Sequence, residues 1–152
     1  MSGIIRITKE FSFETAHALE GYDGACRHIH GHSYRMKVTV SGSPIADDSS
    51  PKCGMVMDFG DLKRIVAANI VSRFDHAMVI RRTPDNGAFV DSLRARYESI
   101  IETPYQPTSE NLLLDFVQVL KKHLPPTVKL ESVELYETAT SCAQWRVEDN
   151  ER

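Results

Sequence analysis

Two early stretches of the chain alternate between apolar and polar residues. Over residues 5–17, Ile5, Ile7, Phe11, Phe13 and His17 share one parity, while Arg6, Thr8, Glu10 and Glu14 take the other. Successive side chains of a strand point to opposite faces, so a period of two predicts a β-strand with one buried face, although Lys9 interrupts its apolar series. From position 32 the alternation is cleaner: His32, Tyr34, Met36, Val38 and Val40 against Ser33, Arg35, Lys37, Thr39 and Ser41. That is the pattern of a half-buried antiparallel strand. Residues 18–29, rich in Gly and polar side chains, form the loop between them. After the connection "SGSPIADDSSPKCG", the stretch "MVMDF" predicts a short strand.

The period then changes. Leu62, Ile65, Val66 and Ile70 make an apolar stripe over 60–73, with Asp58 and Asp61 available as N-terminal caps. Pro84 and Asn86-Gly87 punctuate the next connection, and Phe89, Val90, Leu93 and Tyr97 predict a shorter helix over 88–99. In "TPYQPTSEN", Thr108 is placed to cap a helix whose first turn holds Glu110. Leu112, Leu113, Phe116, Val117, Leu120 and Leu124 give that helix a strong apolar face, and Pro125-Pro126 stops it. Two last strands are expected near 128–137 and 142–148, the second with Trp145 and Val147 on one face. Strands, then helices, then strands predict an α+β domain: an antiparallel sheet with helices on one face.

The length of 152 residues predicts one domain over 1–152. A net charge of −3 offers no basic footprint for nucleic acid. No apolar run approaches the ~18 residues of a membrane span, and the start, charged by Arg6, does not read as a secretory signal. Cys26, Cys53 and Cys142 are odd in number without C-x-x-C spacing, which argues against a disulfide framework and for a reducing, cytoplasmic setting.

Candidate chemistry concentrates in "CRHIHGHSY". Residues i and i+2 of a strand project to the same face, about 6.5–7 Å apart, so His30 and His32 can close on one ion. His17, of buried parity on the first strand, is the natural third ligand. Histidines satisfied by hydrogen bonds are the competing reading. Three neutral imidazoles with an open fourth position describe a catalytic zinc better than a structural one. Cys26 is then a fourth ligand, a thiolate base beside the metal, or an inert loop residue. His28 shares the parity but sits in the loop, where a polar or anion-contacting role fits better than ligation. Asp75-His76 can serve a proton relay if the chain turns there. Glu137 ends the apolar face of the third long strand, where a carboxylate needs a partner such as two parallel N–H donors or else turns to water. Glu110 reads first as a helix-start charge.

Together "FSFETAHAL", Cys26-x-x-x-"HGHSY", "MDFGDLK", "FDHA", "PTSEN" and "LYET" occur in an order that resembles the 6-pyruvoyl-tetrahydropterin synthase family across about residues 5–147. The three-residue spacer between Cys26 and His30 is similar to that of its bacterial branch, which forms 6-carboxytetrahydropterin in the queuosine pathway. The segment 81–106 looks extended relative to shorter bacterial members. The resemblance implies the tunnelling (T-) fold: a four-stranded antiparallel sheet with two main helices on one face. It also implies a homo-oligomeric ring, trimers pairing into hexamers, with active sites at subunit interfaces. By the same resemblance His17, His30 and His32 hold Zn2+, Cys26 is the catalytic base, and Asp75 and His76 are its relay partners. Glu137 anchors the pterin, and Glu110 is a second pocket carboxylate. The implied reaction is a zinc-assisted lyase step on 7,8-dihydroneopterin triphosphate that yields 6-carboxytetrahydropterin, acetaldehyde and triphosphate. Three alternatives stay open at this point: triphosphate elimination to a 6-pyruvoyl product, a zinc hydrolase, and a non-catalytic zinc-binding module.

Overall fold

In the computed structural model, described over residues 2–151, the chain runs through β1 (Ile5–His17), a 3-10 turn (Ala25–Arg27), β2 (His30–Gly42), α1 (Phe59–Val66), a π-helical segment (Ala67–Val71), α2 (Ser72–Phe74) and β3 (Ala77–Arg81). It continues through α3 (Gly87–Arg96), β4 (Ile100–Thr103), α4 (Ser109–His123), β5 (Lys129–Thr138), β6 (Ser141–Arg146) and α5 (Val147–Asn150). Among the described residues, no helix is long and apolar enough to cross a membrane.

β1 and β2 pair antiparallel along their whole length, with Ile7 opposite Val40, Phe11 opposite Met36 and Phe13 opposite Tyr34. The parity read from the sequence is therefore the parity of the core. Tyr34, Met36, Val38 and Val40 are buried, and Lys37 on the other face reaches Glu10 and Glu134. β5 adds to β2 and β6 to β5, both antiparallel. Over their shared face lie α1 with its continuation and α4, which contribute Leu62, Val66, Ile70 and Phe74, and Leu112, Phe116 and Leu120, to one core. Phe116 holds its centre, edge-on to Phe13 at 6.1 Å and to Phe74 at 4.8 Å between ring centroids.

The sheet has six strands, not the expected four, in the order β4-β3-β1-β2-β5-β6. β3 and β4 extend the antiparallel core with parallel pairing, β3 on β1 and β4 on β3. A parallel neighbour needs a crossover, which α1 and its continuation supply for β3 and α3 supplies for β4. At this edge helices cover both faces. Val79 and Ile101 pack into the main core, whereas Met78, Ile80 and Ile100 pack with Val90 and Leu93 of α3 in a second cluster. A strand buried on both faces shows a continuous apolar run, such as Ala77-Met78-Val79-Ile80, rather than an alternation.

Residues 55–58 form no strand and lead directly into α1, whose first turn is capped by Asp58 accepting from the Gly60 amide at 2.6 Å. The helix predicted over 88–99 stops at Arg96, and Val147 opens α5 instead of ending the last strand. Thr108 caps α4 as expected, accepting from the Asn111 amide.

Phe116→Ala should lower unfolding free energy by about 3–5 kcal/mol through transfer and cavity terms. Thr108→Ala should cost about 1 kcal/mol through loss of the cap. Urea titrations of the two variants against the parent check both values and their order.

Candidate metal centre and active-site cavity

The antiparallel register brings the histidines together. His17, the last residue of β1, lies directly opposite His30, the first of β2, and His32 follows on the same face opposite Thr15. The His17 and His30 Nε2 atoms are 3.0 Å apart, as are those of His30 and His32. Among the described residues, these three offer ligand atoms within 4.8 Å of one another. His17 is buried, and the other two are half-buried.

In His17 and His30 the other ring nitrogen settles what Nε2 carries. His17 Nδ1 lies 2.7 Å from the Pro107 carbonyl, and His30 Nδ1 lies 2.6 Å from the His28 carbonyl. A peptide carbonyl only accepts, so in the neutral rings each Nδ1 holds the proton and each Nε2 presents a lone pair. Two lone pairs 3.0 Å apart repel unless a proton or a cation lies between them. Protonation of His17 and His32 is disfavoured. Burial lowers the His17 pKa against the pull of the Pro107 hydrogen bond, and His30 lowers it further. Burial and His30 also lower the pKa of His32, against the attraction of Glu137. A divalent cation fits better, since imidazoles sharing one ion at about 2.0–2.1 Å hold their nitrogens about 3–3.4 Å apart. Carbonyl-fixed Nδ1–H groups are the usual outer-shell support of such a site.

Beside the cluster opens a cavity of about 800 Å³ whose walls include His17, Cys26, Ser109, Glu110 and Glu137. Cys26 is half-buried in the 3-10 turn and lies outside the three-nitrogen group. Its loop is closed by the Leu19 amide donating to the Cys26 carbonyl at 3.0 Å. The Gln106 side chain clamps the same loop, accepting from the Glu20 amide at 3.1 Å and donating to the Glu20 carbonyl at 2.7 Å. Glu137, near the end of β5, accepts from Ser109 Oγ at 2.6 Å through one oxygen, while the other lies 3.6 Å from His32 Nε2. Glu110 is exposed on the first turn of α4 and contributes to the cavity wall.

Asp75 and His76 form a pair elsewhere. His76 takes a left-handed backbone, φ 60°, and this turn lets adjacent side chains meet, with Nδ1 3.1 Å from Asp75 Oδ1. Asp75 also accepts from the Glu14 amide at 2.9 Å, which holds its carboxyl below the usual range, helped by His76. His76 faces a second cavity, about 920 Å³, that reaches His32 but not Cys26. Within one chain, Cys26 and His76 thus line different cavities.

Several supporting groups escape a reading of motifs. The Pro107 and His28 carbonyls are main-chain atoms, so residue type carries no signal for them. Ser109 was visible only as a hydroxyl in "PTSEN". Tyr34 read as core, and its ring is core, stacked on Phe13 at 5.5 Å. Its hydroxyl, however, is buried without a hydrogen-bond partner among the described residues. Burial, then Glu137 and Cys26, hold that hydroxyl in its protonated form, well above the usual phenol range.

These features coincide with a match in sequence. The profile of 6-pyruvoyl tetrahydropterin synthase matches residues 6–148, and the chain belongs to that family. Its relatives include 6-carboxy-5,6,7,8-tetrahydropterin synthase of Haemophilus influenzae, 34% identical over 94% of this chain and 99% of the relative. The protein of the same description from Synechocystis is 35% identical over 91% of each chain. Among solved structures, an uncharacterised protein of Wolinella succinogenes superposes with a TM-score of 0.76 at 24% identity, over 95% of this chain and 99% of that one. The 6-pyruvoyl tetrahydropterin synthase of Caenorhabditis elegans gives 0.65 at 23% identity, covering 95% and 96%. Both share the fold.

If the three Nε2 atoms hold one ion, His30→Ala, which removes the central nitrogen, should reduce bound zinc from about one per chain to near none. Asp75→Ala should leave it unchanged. Metal analysis after gel filtration distinguishes the two.

Proposed function

We propose that this chain is a zinc-dependent lyase that converts 7,8-dihydroneopterin triphosphate to 6-carboxytetrahydropterin with release of acetaldehyde and triphosphate, a step of 7-deazapurine (queuosine) biosynthesis. The observation that carries the reading is the convergence of three imidazole nitrogens beside a cavity that His17 lines together with Cys26 and Glu137. The shared name of the relatives from Haemophilus influenzae and Synechocystis supports the carboxy-forming branch.

His17, His30 and His32 would hold the ion. When bound, zinc supplies Lewis acidity to the side-chain oxygens of the substrate, lowering their pKa. Glu137 is the pterin anchor: its carboxylate accepts from the parallel N–H groups of the heterocycle edge, a two-point match that also orients the ring. Ser109 fixes one of its oxygens for that task. Glu110 gives the cavity a second carboxylate. Cys26, free of the ligand set, removes a carbon-bound proton as thiolate, a role that benefits from the neighbouring cation. His76, oriented by Asp75, returns protons.

The separation of Cys26 from His76 within one chain makes the homo-oligomer part of this reading. A ring built of trimers, pairing to a hexamer, would bring the Asp75-His76 pair of one copy to the cysteine cavity of the next. A closed structural zinc module would enlist Cys26 as fourth ligand, and the absence of its sulfur from the three-nitrogen group supports the open site instead.

Incubation of zinc-loaded protein with 7,8-dihydroneopterin triphosphate, with products identified by mass spectrometry, is the direct test. Acetaldehyde and 6-carboxytetrahydropterin are expected. A 6-pyruvoyl product without acetaldehyde would move the chain to the sister reaction, and absence of turnover would overturn the lyase reading. Cys26→Ala should keep its zinc and lose about 10²–10⁴-fold in turnover, the usual weight of a positioned general base. Loss of zinc in that variant would make Cys26 a ligand.

A further inference from the structure

Tyr34 has a buried polar group that neither the fold nor the proposed mechanism uses. Its ring is 1% exposed and packed on Phe13, with His32 and His17 at 5.5 and 6.4 Å between ring centroids. Among the described residues the hydroxyl has no hydrogen-bond partner. Leaving a hydroxyl buried and unpaired costs free energy, and such a group in a native core calls for an explanation.

Its surroundings supply one. Ser109 stands near enough to the Tyr34 oxygen to work against its raised pKa, yet their approach falls short of hydrogen-bond geometry. The single proton of Ser109 is committed to Glu137 Oε2 at 2.6 Å. The lone pairs of Ser109 therefore remain available as acceptors, and the Tyr34 proton has no competing use. The order of donation along these groups can run in one direction only, from Tyr34 to Ser109 to Glu137.

We propose that Tyr34 is a positioning residue for ligand binding at Glu137. When a pterin engages the carboxylate, the Tyr34 hydroxyl donates to Ser109 Oγ and Ser109 donates to Glu137 Oε2. A three-member chain then braces the anchor from beneath the cavity. No proton is transferred: Tyr34 stays a neutral donor throughout, and Glu137 keeps its lone pairs for the N–H edge of the ring. The free protein carries the unpaired hydroxyl, and the complex pairs it, so the net worth of one hydrogen bond appears as affinity. This inference rests on the pterin reading given above.

Tyr34→Phe separates the hydroxyl from the ring. A purely structural tyrosine predicts lower stability of the free protein and unchanged ligand affinity. The bracing role predicts the reverse. The thermal midpoint of zinc-loaded, ligand-free Tyr34→Phe should equal or exceed that of the parent, because the deleted group was unpaired. Its Kd for neopterin, followed by pterin fluorescence, should rise about 5–10-fold, the equivalent of one neutral hydrogen bond. In a Ser109→Ala background the same substitution should add less than about 2-fold, since the acceptor is already gone.

Equal neopterin affinity in parent and Tyr34→Phe would overturn the bracing role while leaving the pterin site intact. So would an effect that adds in full to Ser109→Ala. A lower thermal midpoint of ligand-free Tyr34→Phe would assign the hydroxyl to folding and likewise overturn it. Failure of the zinc-loaded parent to bind neopterin would instead remove the pterin reading, and the inference with it.

Discussion

The pairing of His17 with His30 across the open end of the β1–β2 ladder is the constraint from which the rest of the site follows. Strand register is set by burial: a slip of one residue would turn Phe11, Phe13, Tyr34 and Met36 out of the core and the histidines with them. The same apolar face that specifies the fold therefore specifies where three imidazoles meet. Side chains on paired strands are also stiff. Their backbones are held by a ladder, and two of the three rings are pinned through Nδ1 to main-chain carbonyls. The cluster is thus organised by the scaffold, before any ion contributes.

Everything around the ladder serves to deliver groups to its open end. α4, anchored through Phe116 and capped by Thr108, presents Ser109 and Glu110 at its first turn. The turn before it gives the Pro107 carbonyl to His17, and Gln106 ties down the loop that carries Cys26. The helical segment from Phe59 to Phe74 ends against β1, where the Thr15 hydroxyl donates to the Phe74 carbonyl at 2.8 Å. The chain must then reverse at once to start β3, which places His76 in its left-handed conformation beside Asp75. Packing, capping and site geometry are a single arrangement of the same residues.

Much of this was legible along the chain, for reasons that differ by element. β1 and β2 face a core on one side and solvent on the other, so alternation marked them and put His17, His30 and His32 on one face without knowledge of the pairing. α4 announced its start and stop through Thr108 and Pro125-Pro126. β3 and β4 do not alternate, because α3 buries their second face, so alternation alone leaves the sheet two strands short. Cys26 and Glu137 were legible as chemistry but not as neighbours, since a loop and a distant strand bring them to one cavity. The carbonyls that orient the histidines, and the Tyr34 hydroxyl, have no sequence signature at all; only the folded chain reveals them. The separation of Cys26 from His76 was equally hidden, because motif order says nothing about which cavity each side chain faces.

The claim on which the account stands is that three imidazole nitrogens hold the ion while Cys26 stays outside its coordination shell. X-ray absorption at the zinc edge of the loaded protein tests this directly. The account predicts a first shell of nitrogen and oxygen only, at about 2.0–2.1 Å, with the outer-shell scattering of imidazole rings. A sulfur scatterer at about 2.3 Å would contradict it, making Cys26 a ligand and the site closed.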